Sequence, residues 1–331
     1  MPANSLLLSS SPHVYSGVST RKLMLSVIIA LLPASVFGVV LYGLPALGVI
    51  LTSVAASVLS EAGFRALLKR DIRIGDLSAV VTGLLLALII PPSTPLWMVA
   101  LGAVFAIVVA KEFFGGLGAN PFNPALVGRA IMIMSFPAAL TTWHSPFAPV
   151  ADAYTTATPL NLLKMGQSLS DVASTVGAST PAGLYWNLLI GTRAGSIGES
   201  SVILLLAGAA FLLIMGVIAW VTPVFMLGTI ALFSWILGVD PLMAVISGGA
   251  VLGAFFMATD YASTPMTPKG KAIFGIGAGL VTVLIRQFGG FPEGVTYGIL
   301  IMNAFAPFLN KLRVPKYGFV KPAKPAKEGS R

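Results

Sequence analysis

The chain has 331 residues, of which 56% are hydrophobic and 9% charged, with a formal net charge of +9. So little charge cannot cover a water-soluble surface, so the composition is that of an integral membrane protein. Cysteine is absent, which excludes disulfides, iron–sulfur ligation and thiolate metal sites, and the two histidines, His13 and His144, are too few and too far apart for a convincing haem or metal site.

Residues 1–20 are polar and turn-rich, with Pro12 and Ser16-Gly17, and no basic region precedes an apolar core there, so no cleavable signal peptide is expected. From Arg21-Lys22 onward, apolar runs predict ten helical spans, at about 23–42, 45–60, 77–90, 96–111, 124–140, 202–220, 224–238, 242–258, 272–286 and 295–310. A transmembrane β-barrel would show short alternating segments instead. Crossing a hydrocarbon core of ~30 Å takes roughly 20 helical residues. Several runs are shorter than that, which favours tilted or broken helices packed against protein.

Charge sets the expected orientation. With the N-terminus inside, 16 of the 20 Lys and Arg fall on the inner side, including Arg65, Lys69, Arg70, Arg73, Lys111, Lys269, Lys271 and the basic tail. Lys164, Arg193 and Arg286 fall outside, and Arg129 lies within a span. An excess of basic residues inside places both termini in the cytoplasm, and accounts for the positive charge better than nucleic-acid binding does.

The two apolar blocks repeat one another. In the first, Pro91-Pro92-Ser93-Thr94-Pro95 precedes a span that ends at Lys111, followed by Phe114-Gly115-Gly116. In the second, Ser263-Thr264-Pro265-Met266-Thr267-Pro268 precedes a span ending at Arg286, followed by Phe288-Gly289-Gly290. Five spans per block is odd, so the second copy enters the membrane inverted, as in many transporters. Prolines at helix ends and small residues in tight packing are the plainer explanation of the same spacing. The expected fold is an all-α integral membrane protein of about ten transmembrane helices in two inverted five-helix repeats with broken or re-entrant segments. Residues 1–20 form a cytoplasmic N-terminal segment, 21–140 the first repeat, 141–201 an extracytoplasmic loop, 202–310 the second repeat and 311–331 a basic cytoplasmic tail.

Within the first repeat, Glu61 and the run from Arg65 to Arg73 are expected to form a cytoplasmic surface between helices. Gly115 to Pro124 is too rich in Gly and Pro to continue a helix. It is either a tight connection at the inner face or a broken element whose Asn120 and Asn123 face a protein-lined cavity. Phe113, Phe114 and Phe122 beside it either anchor at the interface or stack on a flat ring. A charge such as Arg129 within a span needs a partner or a function, unless it snorkels to the inner surface. Asp240 and Asp260, at span ends, are expected to be solvated there, with assistance to a passing cation as the alternative. His144 with Trp143 reads as an outer-interface pair.

The loop between the blocks carries Asp152-Ala153-Tyr154-Thr155-Thr156-Ala157-Thr158-Pro159-Leu160. Thr158 offers a hydroxyl that can be esterified, with small Ala157 leaving room beside it, or it caps a short helix starting at Pro159. The stretch resembles the flavinylation signature Asp-x-x-Ser/Thr-Gly/Ser/Thr-Ala-Thr, with Thr156 where Gly or Ser is more usual. With Ser11-Pro12-His13, Asn120-Pro121-Phe122-Asn123-Pro124 and Gly128-Arg129-Ala130, it makes nearly the whole chain similar to the RnfD/NqrB family. RnfD proteins are membrane subunits of the Rnf ion-translocating ferredoxin:NAD+ oxidoreductase complex, and NqrB proteins are their counterparts in the Na+-translocating NADH:quinone oxidoreductase. The short segment before the first span is more like the former.

The resemblance implies FMN joined by a phosphoester to Thr158. Asp152, Thr155, Thr156 and Ala157 would then be the recognition sequence for a flavin transferase, and Arg129, Phe114, Asn120 and Asn123 candidate cavity or flavin contacts. It implies a subunit of a redox-driven translocase that relays electrons between ferredoxin and NAD+ modules and is coupled to Na+ or H+ movement. Such a subunit is not active alone. Its implied partners are other membrane and iron–sulfur subunits, including a second flavinylated one, and riboflavin is a further candidate cofactor. The competing expectation is a small-solute channel of urea-transporter-like architecture without redox chemistry.

Overall fold

The computed structural model describes residues 19–143, 146, 159–167, 169–175, 180–191, 193–290 and 293–312. Among these residues the regular structure is helical throughout. Asp152, Thr155 to Thr158, His13, His144 and most of the two terminal segments lie outside the described residues.

In the first block, α1 (Thr20–Tyr42) begins where Ser19 accepts the Lys22 N–H, and it carries Pro33 in its interior. One residue, Gly43, separates it from α2 (Leu44–Leu67). Next come α3 (Ser78–Leu88), which stops ahead of Pro91-Pro92, and α4 (Leu96–Val104), which runs directly into a π-helical stretch at Phe105–Glu112. The wider π turn changes the direction in which the following residues point, and here Lys111 and Glu112 are buried. Asn123 caps α5 (Pro124–Ser135), its side chain accepting from the Ala125 and Leu126 N–H groups, with Pro124 at the first helical position. The apolar run continues beyond Phe136 as a separate short helix, α6 (Pro137–Thr141), because Pro137 cannot donate to α5.

Among the described residues three short α-helices lie between the blocks: α7 (Pro159–Lys164), α8 (Leu169–Thr175) and α9 (Pro181–Ile190). The second block holds α10 (Val202–Ile214), α11 (Val221–Ile236), α12 (Pro241–Ile246), α13 (Ala250–Leu252) continuing as a π-helical stretch at Gly253–Met257, α14 (Pro268–Phe288) and α15 (Val295–Leu309). Asp240 caps α12 and Thr267 caps α14, each followed by proline at the first helical position.

Each of the ten apolar runs contains helix, but 202–220 is helical only to Ile214, and 124–140 and 242–258 are each two helices, broken at Phe136-Pro137 and at Ser247–Gly249. Helices α1, α2 and α14 are long and apolar enough to cross a membrane, while α3, α5, α10, α11 and α15 are shorter apolar helices. The blocks meet where α1 packs on α10 and α5 on α15, and α11 lies along α14. Large apolar side chains such as Val36, Val40, Leu51, Leu59 and Leu206 remain exposed on α1, α2 and α10. A lipid-facing surface is made this way, since hydrocarbon solvates Leu and Val as well as a protein core does.

Candidate functional site

Polar side chains gather inside this apolar shell at three places, each of which satisfies groups that a helix cannot satisfy by itself.

The first lies where α2 meets the π-helical end of α4. Lys111 Nζ donates to Glu61 Oε2 at 2.9 Å and to Ser78 Oγ at 2.6 Å, and Ser78 Oγ donates in turn to Asp76 Oδ1 at 2.7 Å. Arg65 Nη2 donates to Glu112 Oε1 at 3.0 Å, and Arg65 Nε lies 3.6 Å from Glu61 Oε1. Glu61 is 0% exposed and Arg65 7%. The expected cytoplasmic surface is therefore, at these two positions, a closed ion network. Burial is tolerated because two cations and two carboxylates neutralise one another. Gly116 belongs to the same construction: its φ is +95°, and a Cβ there would lie 2.6 Å from Arg65 Nη2.

The second place is the seam between the blocks. The Gly115–Pro124 segment turns inward, so that Asn120 and Asn123 are each 3% exposed. Asn120 Nδ2 donates to Asp260 Oδ2 at 3.3 Å, and Asn123 Nδ2 donates to the Met257 carbonyl at 3.1 Å. The Asn123 N–H donates to Asn303 Oδ1 at 3.2 Å, and Asn303 Nδ2 donates to the Ser263 carbonyl at 2.9 Å. Irregular backbone of both blocks thus finds its partners across the seam. A cavity of about 80 Å3 opens here, lined by Ser78, Thr82, Lys111, Asn120, Asp260 and Tyr261 among apolar neighbours. It has room for several waters, at ~10–15 Å3 each. Asp260 is not simply solvated at a helix end, because it also accepts from Ser263 Oγ at 2.8 Å. Asp240 does keep a helix-end role, accepting the Met243 N–H at 2.8 Å and the Tyr185 hydroxyl at 2.6 Å. Phe114 is half exposed and does not line the cavity, and Phe113 packs on Phe64 with ring centroids 5.5 Å apart.

The third place lies under α7, around the break between α12 and α13. Breaking a helix at Ser247–Gly249 frees carbonyls that hydrocarbon cannot solvate. Two guanidinium groups take them. Arg286 donates to the carbonyls of Ala244 at 2.6 Å, Ser247 at 3.0 Å and Gly248 at 3.1 Å. Arg193 donates to the Ile246 carbonyl at 3.0 Å, the Glu199 carbonyl at 3.2 Å and Ser247 Oγ at 3.2 Å. A planar group with five donors suits several acceptors at once, where an ammonium would not. Arg129, 5% exposed, pairs with Glu293 and donates to Thr296 Oγ1 at 3.3 Å. It does not snorkel; it crosses from α5 to the start of α15. Leu160, the second residue of α7, lines a small cleft together with Arg193, Glu199, Ser247, Gly248 and Glu293, and a neighbouring cavity of about 140 Å3 together with Lys164 and Arg286.

A model of the NQR2, RnfD, RnfE family matches residues 7–318. The chain belongs to that family. Relatives within it match nearly end to end. The chain is 47% identical over 323 residues to a subunit of the proton-translocating ferredoxin:NAD(+) oxidoreductase complex of Clostridium ljungdahlii, covering 95% of this chain and 97% of the relative. It is 45% identical over 325 residues to a subunit of the Na(+)-translocating ferredoxin:NAD(+) oxidoreductase complex of Acetobacterium woodii, covering 98% of each. It is 34% identical over 346 residues to a subunit of the ion-translocating oxidoreductase complex of Halorhodospira halophila, covering 94% of this chain and 95% of the relative.

For this NQR2, RnfD, RnfE family member, Asn120, Asn123 and Arg129 all join the first block to the second, but in two different places: the asparagines at the seam and Arg129 under α7. The sequence does not single out Glu199 and Glu293, and it marks Arg193, Arg286 and Lys111 only as orienting charges. Arg286 and Lys111 do carry a signal, since each ends a span just ahead of Phe-Gly-Gly or Phe-Phe-Gly-Gly. Glu199 and Glu293 lie in loop sequence with no periodicity to mark them as buried.

Proposed function

We propose that the chain is a membrane subunit of an ion-translocating ferredoxin:NAD+ oxidoreductase complex, with FMN joined through a phosphoester to Thr158. The observation that carries the complex-subunit reading is near full-length identity of 45–47% to two relatives named as subunits of such complexes, and FMN rests on the resemblance of Asp152 to Thr158 to a flavinylation signature. On this reading the protein is not active alone, and ferredoxin and NAD+ chemistry belongs to partner subunits. Bound FMN would supply both one-electron and two-electron transfer, which a chain without cysteine or metal-binding clusters among its described residues cannot supply itself.

The residues under α7 suit such a group. Thr158 immediately precedes Pro159, the first residue of α7, in the sequence, and Leu160 lies against the Arg193, Glu199 and Glu293 cleft. Arg129 Nε and Arg286 Nε are buried there without a hydrogen-bond partner among the described residues, as donors kept for an anion would be. Arg129, Arg193 and Arg286 against Glu199 and Glu293 leave one excess positive charge.

Ten crossings in two inverted five-helix repeats accord with the helical segments and with the paired arrangement of Pro95-α4-Lys111 and Pro268-α14-Arg286. The seam cavity, with Thr82, Asn120 and Asp260, is the part of the chain suited to pass Na+ or H+ between the blocks. Both termini would be cytoplasmic and the Thr158 loop extracytoplasmic. The reading is tested by coexpression with a flavin transferase and fluorescence of the denatured band. Wild type is expected to fluoresce and Thr158→Val to be dark, whereas a dark wild-type band rejects the reading.

A further inference from the structure

We propose that the buried cluster of Arg129, Arg193, Arg286, Glu199 and Glu293 is an anion seat that fixes the reduction potential of the group carried at Thr158. This rests on the reading that Thr158 carries FMN. The cluster's hydrogen bonds explain why two of its arginines are present: Arg193 and Arg286 satisfy the broken α12–α13 backbone. They do not explain its charge. Backbone carbonyls ask for donors, and neutral donors would serve, yet three full cations are buried with only two carboxylates.

The unused hydrogen-bonding capacity points the same way. Arg129 Nε and Arg286 Nε are buried donors with no partner among the described residues. Their residues are 5% and 8% exposed. Buried unpaired polar atoms are rare and costly, and a group that completes them is the usual explanation. Beside Arg286, an open space of about 140 Å3 between α7, α11, α12 and α14 is bounded by Leu160, Lys164, Ala244 and Arg286. Gly248 keeps the approach clear, since a Cβ there would lie 2.8 Å from Arg286 Nη2 and 3.0 Å from Leu160 Cδ2. The first turn of α7 therefore faces the Arg286 guanidinium across this space.

Adding two electrons and one proton to a flavin leaves one net negative charge on its ring. A fixed excess of positive charge in a poorly solvated place favours the reduced form, because Coulomb energy is weakly screened there. Each charge of the cluster should then move the couple by its sign. Removing the Glu199 carboxylate raises the potential, and removing the Arg129 guanidinium lowers it. An effect of roughly tenfold in the reduced-to-oxidised ratio at a fixed potential corresponds to about 30 mV for a two-electron couple.

The experiment is a spectroelectrochemical titration of the covalent flavin in the full chain, coexpressed with a flavin transferase, with Thr158→Val as the blank for any non-covalent flavin. Intact mass is recorded for every sample. Glu199→Gln is expected to shift the midpoint upward, Arg129→Gln downward, and Arg129→Lys to return it close to wild type. Midpoints that are unchanged, or that move in one direction for both charge types, at full covalent loading overturn the inference and leave the functional reading intact. Absence of flavin mass on wild type overturns both. If Arg129→Gln does not fold, the isosteric Glu199→Gln decides alone, because a role limited to packing predicts no upward shift.

Discussion

Replacing Lys111 by methionine removes one cation from a buried ion network. Lys111 Nζ is 2.9 Å from Glu61 Oε2, and the two side chains are 2% and 0% exposed. Methionine keeps most of the volume, so the loss is electrostatic. Glu61 is left with Arg65 Nε at 3.6 Å, a contact without a formed hydrogen bond, while Arg65 is already committed to Glu112 at 3.0 Å. Removing one member of a buried ion pair costs about 3–5 kcal/mol, most of it the penalty on the abandoned partner. At ~2 °C per kcal/mol for a large domain, the midpoint falls by on the order of 6–10 °C. Thermal unfolding of the detergent-solubilised protein measures it. Adding Glu61→Gln removes the stranded charge, and the double variant should recover ~1–3 kcal/mol relative to additivity. A Lys111→Met protein within ~1 kcal/mol of wild type, or a strictly additive double variant, would refute the reading of these four side chains as a mutually neutralising network.

Two further substitutions probe the other centres. Asn123→Ala removes the α5 cap, at ~1 kcal/mol, together with its donation to the Met257 carbonyl, at another ~1 kcal/mol. A total near ~2 kcal/mol is expected in the same unfolding assay, with Asn123→Ser recovering the cap alone. Gly248→Ala forces a side chain onto a residue at φ +63° against Arg286 Nη2. A loss of at least ~1–2 kcal/mol follows from the left-handed backbone alone, and limited proteolysis should cut faster near α7 than in wild type.

Much of the scaffold was legible because a bilayer imposes long apolar runs, and every such run contains helix. Breaks inside a run were not legible even where Pro137 or Gly248-Gly249 marks them, since 124–140 and 242–258 each read as one span. Ser247-Gly248-Gly249 interrupts a run that reads as one span from 242 to 258, since apolar residues flank it on both sides and nothing in the periodicity reveals the freed carbonyls. The same limit hides the roles of Arg193 and Arg286. A basic residue near a span end has the same appearance in sequence whether it faces water or completes a broken helix forty residues away. Glu61 and Arg65 read as surface because Lys69, Arg70 and Arg73 follow them. The pair is buried instead, because Lys111 and Glu112 arrive from α4 to neutralise it. Asn120 and Asn123 were legible as candidates, since two asparagines among glycines and prolines have few other places to find acceptors. Their partners, Asp260, Met257 and Asn303, come from the opposite block and depend on packing that no local pattern encodes.

Whether Thr158 bears the redox group is tested most directly by the intact mass of the purified chain, followed by peptide mapping of residues 151–164. Coexpression with a flavin transferase is expected to add the mass of one FMN less one water, located on Thr158 and lost in Thr158→Val. An unmodified chain under those conditions, or FMN located on another hydroxyl, would contradict the assignment, and the unmodified result would favour a solute channel built on the same scaffold.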